Sequence, residues 1–203
     1  DRTSIQANEA KDCIMREDLN SLLRRTRIVS GFILFFYAAT HLLNHSLATF
    51  SISTADAARE YFIAFWRNPV AEIFLFASFA VHILLGIQAV LRRKSFKMTK
   101  REWLQMTFPF VALLALIPHV LTTAILSRMF AVTDNYELIF AATLIDPSKA
   151  SKNVIFFSLM IVLIWTHGVI GIHGLLQSKP VYARLRQTII GFYWAVPVLA
   201  LVG

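Results

Sequence analysis

The sequence predicts an all-α membrane protein, a helical bundle with five transmembrane spans visible in its 203 residues. Three observations predict it. Apolar residues make up 57% of the chain and the mean hydropathy is +0.60, above the roughly 45–50% apolar share of soluble domains. Five segments reach or approach the ~20 apolar residues that cross a bilayer: residues 28–50, 70–91, 103–127, 154–177 and 187–203. The charged residues fall between these segments, so the net charge of +8 reads as a set of topology signals and not as a basic face for nucleic acid.

Each element has its own signature. Residues 1–27 are polar and charged, contain no cleavable signal peptide, and read as an N-terminal cytoplasmic segment; residues 28–203 form the membrane domain. The first span contains "SGFILFFYAATHLLNHS" and leads into the connection "SISTADAAREYFIAFWRNP". The second ends at the basic loop "RRKSFKMTKRE", and the third leads into "SRMFAVTDNYELIFAATLIDPSKASK". Within that connection "YELIFAATLI" is too short to span and predicts an amphipathic helix on the outer surface. "SKPVYARLR" joins the fourth span to the fifth. Fifteen of the 20 Lys and Arg lie in the N-terminal segment and the second and fourth connections, which puts that side, called inner below, in the cytoplasm. Five spans then bring Gly203 to the outer face, in "WAVPVLALVG" with no polar anchor. The sequence is therefore expected to be a fragment, with a sixth span to follow.

The single cysteine, Cys13, excludes an internal disulfide and an all-cysteine metal site. Six histidines carry the chemistry instead: His41, His45, His82, His119, His167 and His173, all in the apolar segments or at their margins. A lone intramembrane histidine is ordinarily a helix-to-helix hydrogen bonder. Four spans with at least one each suggest more. At a rise of ~1.5 Å per residue, His41 and His119 lie about 21–24 Å from the inner edge, and His82 and His167 about 15–18 Å. Two levels result, each with one histidine from each of two helices. Facing neutral imidazoles are the axial ligands of six-coordinate haem iron, whereas zinc needs three or four ligands at one depth. No C-x-x-C-H motif is present, so such haem is non-covalent b-type. Small residues accompany the histidines: Gly31, Ser78, Gly86, Gly171 and Gly174. His45, one turn beyond His41, is the second choice of ligand at the outer level. His173 lies about 120° around the helix from His167 and roughly 9 Å away in depth, so the two cannot ligate one iron. His173 reads as a propionate partner, a helix contact or a relay residue.

"SGFILFFYAATHLLNHS", "FASFAVHILLGIQAVLRRK", "WLQMTFPFVALLALIPH" and "THGVIGIHGLL" resemble the dihaem cytochrome b anchor of fumarate reductases and succinate dehydrogenases. The resemblance implies a four-helix core with two haem b groups, held by His41 with His119 and by His82 with His167. "THLLNHSL", "FWRNP" and "WTHGVIGIHGLLQSKPVY" look more like the membrane anchor of bacterial class III adenylate cyclases, a six-span relative to which His45 and His173 belong. That resemblance implies a redox- or quinone-responsive regulatory domain, a homodimer, and a cyclase domain beyond residue 203 that converts ATP to cyclic AMP with Mg or Mn. Neither that domain nor its two metal-binding aspartates is in these residues, which contain no catalytic residue. The alternative is an electron-transfer subunit passing electrons to or from the quinone pool, with "RRKSFKMTKRE" docking a soluble partner.

Quinone-handling residues are less sharply marked. Glu72 is a candidate for quinone protons, although a carboxylate at a helix start is also favoured by the dipole. Tyr61, Trp66 and Trp194 are candidates for stacking, or interfacial anchors. Arg67 and Arg128 are candidate propionate partners at the outer face.

Overall fold

The computed structural model describes residues 2–131 and 135–202, and among them every regular element is helical. Eight α-helices follow in order: α1 (Arg2–Ser46), α2 (Ile52–Trp66), α3 (Pro69–Leu91), α4 (Lys100–Val120), α5 (Ser127–Met129), α6 (Tyr136–Leu144), α7 (Pro147–Leu176) and α8 (Pro180–Val202). A 3-10 turn, Leu47–Thr49, closes α1, and a π-helical segment, Leu121–Leu126, extends α4. Five helices are long and apolar enough to cross a membrane: α1, α3, α4 with its π segment, α7 and α8. The protein is thus a membrane-embedded α-helical bundle.

Helix starts are written into the sequence. Ser51, Asn68, Asn135 and Asp146 each accept a backbone N–H of the first turn of α2, α3, α6 and α7, satisfying donors that have no partner within the helix. Pro69 and Pro147 occupy the first helical position, where the missing N–H is harmless. Thr99 and Glu102 form a capping box at α4.

Two differences from the sequence reading concern helix extent. Residues 2–27 continue α1 without a break, because a change from apolar to charged side chains moves the surface from lipid to water but leaves the backbone bonds intact. The first connection is mostly the helix α2. "YELIFAATLI" does form a short helix, α6, packed against α7 and α2.

The bundle is built as two halves. α1 packs against α3, and α4 packs against α7. α8 joins them by packing on α1 and α7 around Ala39, Leu42, Trp165, Val196 and Ala200. Trp165 is the anchor: it stacks on Phe35 with ring centroids 5.1 Å apart, and its Nε1–H donates to the Tyr193 carbonyl at 2.7 Å. That carbonyl is available because Pro197, four residues on, has no N–H to offer it.

Candidate functional site

Between the halves lies a cavity of about 1770 Å³, walled mainly by α1, α3, α4 and α7, with α2, α6 and the end of α8 completing the lining. It exceeds the about 300–1,000 Å³ of a pocket for one drug-sized ligand. His41, His45, His82, His119 and His167 all line it. Two imidazole pairs span it, each taking one ring from each half. His41 of α1 faces His119 of α4 with ring centroids 6.1 Å apart. His82 of α3 faces His167 of α7 at 6.2 Å.

The inner pair is held by backbone carbonyls. His82 Nδ1 lies 3.1 Å from the Arg27 carbonyl oxygen, and His167 Nδ1 lies 3.0 Å from that of Gln105. A carbonyl can only accept, so in both rings Nδ1 carries the proton and Nε2 keeps its lone pair. A ligating histidine commonly has its other nitrogen anchored in this way. The local sequence explains both anchors. Pro109 follows Gln105 by four residues and removes the N–H that would otherwise occupy its carbonyl. Gly31 leaves room beside Arg27: a Cβ there would sit 2.9 Å from Cε1 of His82. Ser30 supports the same nitrogen, with Oγ 3.3 Å from His82 Nδ1.

The outer pair is framed by aromatic rings. Tyr37 stacks on His41 with an interplanar angle of 12°, and Phe62 and Phe157 lie against His41 and His119. His119 is the second-last residue of α4, and its carbonyl accepts the hydroxyls of Thr122 and Thr123 where the π segment begins. A wider turn there re-aims the residues around it, as π segments at functional sites do. A third imidazole also reaches this level: His45 Nε2 is 3.2 Å from His41 Nε2.

The remaining sequence candidates divide by position. Gly31 packs on His82 and not on His41, while Gly86 lines the cavity with open space where a Cβ would go. Gly171 faces the Gln105 side chain, and Gly174 lies under the Arg101 guanidinium. Ser78 is buried but does not line the cavity. His173 is a helix contact: its Nδ1 meets the Tyr182 hydroxyl across the turn from α7 to α8. Glu72 and Arg128 form an ion pair with each other, and both line the cavity together with Arg67. Trp66 is buried against Phe36, Tyr37 and Phe62 and donates to Thr40 Oγ1 at 3.1 Å. Tyr61 and Trp194 are 81% and 72% exposed, away from the cavity.

Several residues escaped the sequence reading. Arg24, Arg27, Arg93 and Arg101 line the inner end of the cavity. Arg101 reaches across to α7, where it donates to the carbonyl of Ile170 at 3.1 Å and to Gln177 Oε1 at 3.4 Å. At the outer end Tyr136 is 4% exposed, its hydroxyl accepting from Asn44 Nδ2 at 2.7 Å and its N–H donating to Asp56 at 2.7 Å. Burial, against the weaker effects of the Asn44 bond and Arg59, pushes the phenol up to about 12. Tyr136 therefore stays protonated at neutral pH. Pro109 was the available signal for the His167 anchor, and nothing in the sequence pointed to Tyr136.

Chemically, the arrangement offers two separated pairs of neutral nitrogen donors in an apolar, aromatic-walled space. Among the described residues no group of three or more His, Cys, Asp or Glu is placed to hold a metal ion. No protein-family model, curated protein or solved structure matches the chain.

Proposed function

We propose that the chain is a dihaem b module, with His41 and His119 as axial ligands of an outer haem and His82 and His167 as those of an inner one. The ring spacing carries the reading. An imidazole nitrogen sits about 2 Å from a first-row metal ion and about 1.2 Å from its own ring centre, so rings facing across one ion have centres about 6.4 Å apart. The two pairs lie at 6.1 and 6.2 Å. The cavity volume, the carbonyl anchors on the inner pair, and arginines near both ends to meet propionates support the same reading. When bound, haem supplies one-electron chemistry. His41, His119, His82 and His167 would hold its iron, the apolar walls would exclude water and the arginines would balance the propionates.

The resemblance stated above makes the module the redox- or quinone-responsive anchor of a bacterial class III adenylate cyclase, in the cell membrane with its N-terminus cytoplasmic. A change of redox or quinone state would alter the packing of the two halves across the cavity. That change reaches an attached cyclase only if the two packings differ in free energy with the cofactor's state. Homodimerisation, ATP and Mg or Mn belong to that attached domain. The coding sequence beyond residue 203 tests this part. An open frame into a sixth span and a cyclase domain supports it, and a stop codon there turns the reading to a respiratory cytochrome b subunit.

Absorption spectroscopy tests the haem assignment itself. The purified protein is expected to show a Soret band with low-spin b-type α and β bands on reduction, lost when His41, His82, His119 and His167 are all replaced by Ala. No Soret band, or one that survives the replacements, overturns the assignment.

A further inference from the structure

The two histidine pairs differ in readiness. At the inner pair Nδ1 of each ring is committed to a carbonyl, so each Nε2 lone pair is already available. At the outer pair His41 Nε2 and His45 Nε2 are hydrogen-bonded at 3.2 Å. Of two neutral imidazoles one donates and the other accepts. If His41 accepts, its Nε2 lone pair is in use; if it donates, Nε2 carries the proton. In neither case can that nitrogen bind a metal until the bond to His45 opens.

His45 is also held in place. Its ring lies edge-on to Tyr136 with centroids 5.2 Å apart. Tyr136 is fixed through its hydroxyl by Asn44, the neighbour of His45 on α1, and through its N–H by Asp56 of α2. Three elements, α1, α2 and α6, thus converge on the ring that occupies His41.

We propose that His45 is a positioning residue that holds His41 Nε2 closed, making the outer site the weaker and later-filled of the two. This rests on the dihaem reading above and goes beyond it: the chain itself sets an order of loading, inner before outer, and Tyr136 and Asn44 keep the competing imidazole in place. A competing hydrogen bond of ordinary net strength lowers outer-site affinity by about 2- to 12-fold.

The test is a titration of haem b into the haem-depleted full chain in detergent, followed at the Soret band, for the native protein, His45→Phe and His45→Gln. Phe keeps a ring against Tyr136 but cannot bond His41; Gln can. The native chain is expected to fill in two phases. In H45F the weaker phase tightens about 2- to 12-fold, the stronger phase stays where it was, and H45Q behaves as native. A weaker phase that is unchanged or weakened in H45F, or equally tightened in H45Q, overturns the proposal. So does loss in H45F of the second low-spin electron paramagnetic resonance signal, which would make His45 a ligand. Failure of the dihaem reading looks different: the native chain itself shows no saturable binding.

Discussion

Gly31 and Gly86 are both glycines beside the cavity, and they make opposite demands. A Cβ at residue 31 would press on the His82 ring at 2.9 Å, whereas one at residue 86 meets nothing within 4 Å. Gly31→Val is therefore expected to push His82 off the Arg27 carbonyl and lose the inner haem, halving the Soret absorbance per chain. Gly86→Ala should leave the spectrum unchanged. If the two variants bind equal haem, the close approach of Gly31 to His82 is not what positions the ligand. At this scale the sequence was a good guide to which histidines come together in the cavity, because a costly residue in an apolar segment is conspicuous. It was a poor guide to their neighbours. Gly31 lay at a helical spacing from His41, yet it serves His82 on another helix, a relation that depends on how α1 packs on α3 and on no spacing within one segment.

Two prolines do comparable work at the level of whole helices. Pro109 in α4 leaves the Gln105 carbonyl to His167, and Pro197 in α8 leaves the Tyr193 carbonyl to Trp165. Each turns a gap in a helix ladder into a contact with the next helix. Pro109→Ala restores an N–H that competes for the Gln105 carbonyl, so the inner haem should bind more weakly by about the strength of one net hydrogen bond, roughly 2- to 12-fold. Binding at the proposed outer site, formed by α1 and by α4 beyond Pro118, should be little changed. Trp165→Phe leaves the Tyr193 carbonyl without its donor and should destabilise the bundle by about 1–3 kcal/mol, measured as a lower denaturation midpoint in detergent. A proline in a transmembrane helix could be read as a kink from sequence, and the carbonyl it frees is always four residues back. Which side chain fills that vacancy was not legible, since it is chosen by the neighbouring helix. The extents of α1 and α2 were missed for a simpler reason: span detection follows hydropathy, and helices continue through polar sequence wherever backbone bonds are unbroken.

The molecule as a whole consists of α1 with α3 and α4 with α7, separated by the cavity and tied by α8. No large side chain is fully buried among the described residues, so the centre of the bundle is lined and not filled. A ligand that bonds one residue from each half links them, and it stabilises the folded state by mass action, by about 2.7 kcal/mol when its free concentration is a hundredfold above its dissociation constant. The haem-loaded chain should accordingly melt at a higher temperature than the haem-depleted one, with the gap widening as haem is added. An unchanged midpoint would mean that the halves are held together without it. The number of helices long and apolar enough to span, and the approach of His41 to His119 and of His82 to His167, were readable from segment length and from position along each segment. The two-halves packing was not, since hydropathy gives no order of helices around an axis.

The ratio of haem to chain, determined as the pyridine haemochrome on purified protein, tests the central claim most directly. Two haem b per chain are expected for the native protein. One is expected for the chain with His41 and His119 both replaced by Ala, one for the chain with His82 and His167 replaced, and none with all four replaced. A native ratio of zero, or a ratio that either paired replacement leaves at two, would contradict the assignment of two haems to these two pairs.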